Sequence, residues 1–156
     1  MIDLTKEELQ LIHAVEPIMK ANIHRLVDSF YNTIVEVPHL SHIIQHNSTV
    51  DRLRQTLIEH LTEMFNGRID DAFLNKRLSV AEIHFRIGLE PKWYLGAFQN
   101  LQTSIIDIIF TEIQTSHEQK RIITAISKIL NFEQQLVLEA YEKANLKQRE
   151  RDYEKV

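Results

Sequence analysis

Apolar residues recur along this chain at spacings of three and four almost from end to end, with charged residues between them. That is the period of amphipathic helices. Thr5 followed by Glu8 has the spacing of a capping box and starts a first helix, with Leu9, Ile12 and Val15 on its apolar face. Pro17 either opens the next segment or kinks the first. From Ile18 a second helix carries Ile23, Leu26, Val27, Phe30 and Ile34 and stops before Pro38. A short helix over about 38–46 follows, with Leu40, Ile43 and Ile44. Ser48 with Asp51 suggests the next start, and a helix over about 49–65 sets Leu53, Thr56, Leu57, His60 and Met64 on one face before Asn66-Gly67 ends it. A further helix covers about 70–87, with a break suggested near Leu78-Ser79, and stops at Gly88. Pro91 to about Thr115 is long and strongly apolar, and His117-Glu118 opens the last and longest helix.

Only three glycines and three prolines occur, too few for the turns a sheet needs. The fold class is therefore all-α. Seven or so helices of unequal length with short connections suit a globin-like arrangement better than a four-helix bundle. The 156 residues make one ordinary domain, with no internal repeat or linker. A net charge of −4 recommends no nucleic-acid partner. The absence of cysteine excludes disulfides, thiolate metal sites and cysteine nucleophiles. No apolar run has the length of a membrane span and no basic-then-apolar leader opens the chain, which reads as cytoplasmic without direct membrane contact.

The helix from Pro91 is apolar on more than one side. Leu95, Phe98, Ile105, Ile109 and Ile113 form one stripe, and Leu101, Ile106, Ile108 and Phe110 lie off it. The last helix carries Ile123, Leu130, Phe132 and Leu138 off its main stripe. Such faces are either buried within one subunit or shared between two, and a two-fold pair of these helices would make a dimer interface. Beyond Glu142 the pattern thins into a charged segment. There Leu146 and Tyr153, seven residues apart, suit either a coiled-coil start or a solvated helix end.

Histidine is the abundant ligand type, with eight in the chain. His84 ends an apolar helical pattern just before Gly88, and Trp93 and Tyr94 open the next helix. A turn between these helices brings an imidazole, an indole and a phenol together, and such an imidazole can hold a haem iron or be an ordinary structural residue. His60 lies on the apolar face of its helix, able to approach iron from the other side but better read as a residue at the core edge with its ring in water. His39, His42 and His46 share one face of a short helix and read as a solvated face, because a zinc site wants a further ligand and an orienting shell. Tyr31 and Thr56 put hydroxyls into apolar faces, where a backbone carbonyl or a polar diatomic ligand could satisfy them. No nucleophile elbow, Gly-rich phosphate loop or HExxH occurs, and the carboxylates read as solvated helix faces, so the chain is not expected to be an enzyme.

The stretch Ile83-His84-Phe85-Arg86-Ile87-Gly88-Leu89-Glu90-Pro91-Lys92-Trp93-Tyr94-Leu95-Gly96-Ala97-Phe98-Gln99 resembles the proximal-histidine signature of globin-coupled sensors, most closely the sensor domains of bacillar haem aerotaxis transducers. Three other stretches carry the same resemblance: Leu26 to Tyr31, Val50 to Leu57 and Leu130 to Ala140. The resemblance implies haem b, with His84 as the proximal iron ligand. It implies Tyr31 and Thr56 on the distal side, Thr56 touching bound oxygen, with Phe30, Leu53 and Leu57 as apolar lining. It places Tyr94 near the proximal side in passing the signal on. It further implies a homodimer through the last two long helices, signalling to a downstream domain or protein in aerotaxis or a related pathway, with O2, CO or NO as ligands. Residues 1–145 would then be the sensor domain and 146–156 the start of a charged helical linker or a frayed tail. Asn47 stands where a related aerotaxis sensor carries histidine, which removes a distal-edge role there. A haem-free, globin-like dimerisation module and a single-domain oxygen-binding globin are the alternatives.

Overall fold

Thr5 caps the first helix in both directions: its hydroxyl accepts from the Glu8 amide at 3.2 Å and the Glu8 carboxylate accepts from the Thr5 amide at 3.0 Å. A computed structural model describes residues 2–155. Among them run α1 (Lys6–Ala14), α2 (Glu16–Ile34), α3 (Pro38–Asn47), α4 (Val50–Met64), α5 (Asp71–Arg86), α6 (Pro91–Glu112) and α7 (Ser116–Glu154), with no strand. Three of the boundaries are prolines in a first turn, where the missing N–H costs nothing. Pro17 thus opens α2. The α4 cap is Thr49 rather than Ser48, its side chain accepting from the Arg52 amide, and Asp70 caps α5 through the Phe73 amide. α5 runs unbroken through Leu78-Ser79, since Ser79 is exposed and asks nothing of the core.

The core is one cluster fed by every helix except α3, whose buried contribution is Leu40. α7 is its spine, packed by α1, α5 and α6, while α2 bridges α4 and α6. At the far end Lys128 of α7 holds Glu8 at 2.9 Å and the Asp3 carbonyl at 2.7 Å, tying the N-terminus down. Much of the surplus apolar surface on the two long helices is spent inside this single chain. Leu101, Ile108 and Leu130 are buried, whereas Leu95, Phe110 and Leu138 stay exposed. α7 remains helical to Glu154, and every described residue from Asn145 on is exposed.

Candidate functional site

α4 and α5 are consecutive helices joined through Gly67, and an ion cluster, buried at Arg77 and Glu133, ties them together. Arg77 of α5 donates from Nε to Glu133 of α7 at 2.9 Å, from Nη1 to Glu63 of α4 at 2.7 Å, and from Nη2 to the His60 carbonyl at 2.9 Å. Its guanidinium also lies 3.8 Å from the centre of the Phe73 ring. His60 Nε2 meets the other oxygen of Glu133 at 3.1 Å, and Lys76 pairs with Glu63. Burial works against the Glu133 carboxylate, but the charges and hydrogen bonds of His60 and Arg77 outweigh it and hold the carboxyl below its usual range.

Seven residues are nearly two full helical turns, so residues seven apart share a face about 10 Å apart along the axis. His84 therefore follows Arg77 down the same face of α5, and Leu53 precedes His60 on the same face of α4. By this register His84 and the Leu53–Leu57 segment lie on the sides of α5 and α4 that carry the ion cluster, beyond its pinned end. The region between α4 and α5 beyond Arg77, here the wedge, adjoins α2 through Tyr31, whose hydroxyl meets the Leu53 carbonyl at 3.2 Å; Tyr31 and Phe30 are both buried and stacked edge to face at 5.0 Å.

Burial, with a smaller push from the His60 charge, lowers the His84 pKa to about 4. The ring is thus a neutral imidazole, the form that binds metals. Its Nδ1 is buried without a hydrogen-bond partner, and so is the Trp93 indole nitrogen nearby in sequence. Buried polar atoms in proteins are nearly always paired, so the orphaned nitrogen of His84 fits a site that receives a metal-bearing group, while the Trp93 ring packs on His39 at 5.6 Å. Tyr94 stands beside His84, ring centres 5.4 Å apart, and continues into Phe98 at 4.8 Å. Burial first, then Glu133 and Tyr141, hold the Tyr94 phenol well above its ordinary pKa, so it stays a neutral hydroxyl.

The two hydroxyls on the other side take backbone partners. Tyr31 Oη donates to the Leu53 carbonyl at 3.2 Å, linking α2 to α4, and burial pushes its phenol up to about 12. Thr56 donates to the Arg52 carbonyl of its own helix at 3.0 Å and is exposed, contrary to the expectation of an apolar surrounding. Its register puts it at the rim of the wedge, while Leu53 and Leu57 are half-buried. His60 also departs from expectation: its ring is not in water but in the ion cluster. Glu133, expected with the other carboxylates on a solvated helix face, is buried instead, and so is Arg77. The signal was present in their register, because each falls where its helix otherwise places an apolar residue: Ile129, Glu133, Val137 in α7 and Phe73, Arg77, Ala81 in α5. Among the described residues no group of three or more His, Asp or Glu side chains converges on a metal site, and His39, His42 and His46 are no exception. Among the described residues no helix is long and apolar enough to cross a membrane.

Known proteins align with this arrangement. The globin domain of the Geobacter sulfurreducens globin-coupled sensor superposes with a TM-score of 0.83 at 22% identity, over 88% of this chain and 90% of that one. The ferric globin domain of E. coli DosC superposes at 0.70 and 20% identity, over 88% and 96%. These likenesses establish the globin-like fold. The heme-based aerotactic transducer HemAT of Halobacterium salinarum is 23% identical over 145 residues, 86% of this chain but 30% of that protein, so the chain spans under a third of its relative's length. The model of the protoglobin family matches residues 1–147, nearly the whole of the chain and both sides of the wedge, and on that match the chain belongs to the protoglobin family.

Proposed function

We propose that this domain binds haem b between α4 and α5 and senses a diatomic gas, oxygen foremost, as the sensory part of a signalling protein. The observation that carries the reading is His84: a half-buried, neutral imidazole whose Nδ1 is itself buried and unpartnered. When bound, haem supplies an iron whose remaining position takes oxygen, carbon monoxide or nitric oxide.

The chain's own residues supply the rest. His84 is the iron ligand. Phe30, Leu53 and Leu57 form an apolar wall that keeps water away from the iron. Tyr31 and Thr56 each offer a hydroxyl to a polar ligand, and Thr56 releases only an intrahelical bond to do so. Tyr94 packs on the His84 ring and fixes its orientation. Carbon monoxide carries less charge on its outer atom than oxygen and gains less from such a donor, which discriminates between them. In this reading the domain acts as a sensor rather than an enzyme.

We place the signal output at α6 and α7. Leu95, Phe110 and Leu138 remain exposed there, and a second copy of the chain would cover them in a homodimer. Residues 1–145 form the sensor and 146–156 begin the helical connection to a downstream signalling domain or protein. The Halobacterium relative, named as a heme-based aerotactic transducer, makes aerotaxis the reading to test for the pathway.

The test is the absorption spectrum of the haem-loaded protein: ferric, reduced, then under oxygen and under carbon monoxide. The expected result is a five-coordinate ferrous spectrum that converts to stable oxygen and carbonyl forms, and that His84→Ala abolishes. A missing Soret band after reconstitution would leave a haem-free helical dimerisation module, and the roles of His84, Thr56 and Tyr31 would fall together.

A further inference from the structure

The C-terminus of α5 ends in a Schellman motif: Gly88, at φ +84°, sends its amide to the Phe85 carbonyl at 3.1 Å, and Leu89 sends its amide to the His84 carbonyl at 3.0 Å. The backbone of His84 is thereby bonded directly to Leu89. The Leu89 carbonyl in turn accepts from Tyr141 Oη of α7 at 2.8 Å. The Tyr141 ring stands edge to face on Phe85, the residue after His84, with centres 5.7 Å apart at 84°. Two independent contacts therefore join Tyr141 to the six-residue segment from His84 to Leu89.

Tyr141 is also the last buried residue of α7. Beyond it the helix runs on to Glu154 with no buried residue, and from Asn145 every described side chain is exposed. The point where α7 leaves the body of the protein is thus the point where it is bonded to the His84 turn. Burial pushes the Tyr141 phenol up to about 12, so the hydroxyl stays a donor throughout the physiological range.

We propose that Tyr141 is the positioning residue that couples the His84 end of α5 to the projecting part of α7, through its hydroxyl bond to the Leu89 carbonyl. The inference rests on the reading of His84 as an iron ligand for its trigger, but the link itself belongs to the chain alone. A displacement of the His84 carbonyl moves Leu89, and Leu89 moves Tyr141 through one hydrogen bond. The turn cannot shift without either carrying the root of the projecting helix or breaking that bond. Such a link is a two-state contact between the two ends it joins.

The test is amide hydrogen exchange on the 156-residue protein, wild type, Tyr141→Phe and Tyr153→Phe. Tyr141→Phe keeps the ring and its packing on Phe85 and removes only the hydroxyl. In the haem-free chain, exchange at Leu89 and over residues 142–147 should rise together in Tyr141→Phe by roughly two- to tenfold, the worth of one hydrogen bond. Tyr153→Phe, at an exposed position, should leave both unchanged. In the haem-loaded, reduced protein, adding carbon monoxide should alter exchange at 85–90 and at 142–147 in wild type, but only at 85–90 in Tyr141→Phe, with the carbonyl spectrum unaltered. Equal responses at 142–147 in both proteins, no response there in wild type, or a haem-free rise at 142–147 without Leu89 would each overturn the coupling. Failure of wild type to take up haem would instead sink the gas-sensing reading, and the haem-free comparison alone would then decide the link.

Discussion

Arg77 and Glu133 face each other across 2.9 Å with each side chain only 1% exposed, joining α5 to the spine helix α7 where neither charge reaches water. Removing one partner of such a pair costs about 3–5 kcal/mol, because the other is left buried and unpaired, whereas replacing both by apolar groups of similar volume is close to neutral. Arg77→Met leaves Glu133 with His60 alone, while Glu133→Leu leaves Arg77 still holding Glu63 and the His60 carbonyl. We expect Arg77→Met to be the worse of the two single variants, and the double variant to lose clearly less than their sum. Urea unfolding of the four haem-free proteins completes the cycle. Additive losses would mean that the pair contributes nothing as a pair.

The helices were legible in the sequence because their signals are local. Thr5 with Glu8, the three prolines and the run of apolar residues at three and four each act within a turn or two of the chain. The ends erred where two adjacent residues could both cap, as with Ser48 and Thr49, and either choice fits the pattern. The ion cluster was not legible as a cluster, since His60 and Glu133 are 73 positions apart and nothing local announces their meeting. Only the placing of Glu133 and Arg77 on apolar stripes hinted that both were inside. The surplus apolar residues on α6 and α7 could not be divided in advance between core and surface. Leu101 and Phe110 look alike in composition, and the rotation of α6 against α2 and α7 buries one and exposes the other.

The half-buried imidazole of His84 makes stability depend on pH. Its pKa is about 4 folded against an ordinary 6.5, so between these values the unfolded chain binds the proton that the folded chain refuses. Stability is unaffected above the ordinary value, falls as pH drops through that window, and is fully penalised below about pH 4, by up to about 3 kcal/mol. Glu133 acts in a lower window. Its folded pKa is depressed, so its contribution is present above the ordinary 4.5 and lost as pH falls through the lower folded value. His84→Leu in the haem-free protein should therefore flatten the unfolding midpoint between pH 7 and pH 5 and keep the loss below pH 4.5. An unchanged slope between pH 7 and pH 5 would mean that the ring takes its proton inside the fold.

Gly67 and Gly88 both have positive φ, yet they differ in what surrounds them. A Cβ on Gly88 meets no atom within 4 Å, so Gly88→Ala bears only backbone strain, about 1–2 kcal/mol. A Cβ on Gly67 collides with the Leu9 carbonyl oxygen and crowds the His13 Cβ at 3.1 Å. Gly67→Ala adds this clash to the same strain and should lose more than twice as much, and it should loosen α1 from the α4–α5 bend. Chemical denaturation ranks the two, and equal losses would show that α1 moves aside freely.

Tyr31 and Thr56 compete for the same task from unequal starting points. Tyr31 is buried and its hydroxyl bridges two helices, so turning it toward a ligand forfeits an interhelical bond to the Leu53 carbonyl. Thr56 bonds within its own helix, and rotation about one bond frees it without disturbing any packing. A threonine bonded back to the residue four before it gains little from that bond, since the carbonyl is already satisfied by the helix. Thr56 is thus the cheaper donor for a ligand with partial negative charge. A hydrogen bond to such a group is worth about 1.5–3 kcal/mol, which corresponds to roughly 10- to 150-fold in a dissociation rate. Thr56→Val should raise the oxygen dissociation rate of the haem-loaded protein within that range and move the carbon monoxide rate much less. Tyr31→Phe should change the oxygen rate by a smaller factor while lowering stability, because it unties α2 from α4. Flash photolysis and stopped-flow mixing measure both rates. An oxygen rate that Thr56→Val leaves untouched and Tyr31→Phe raises would transfer the donor role to Tyr31, at the expense of its bond to Leu53.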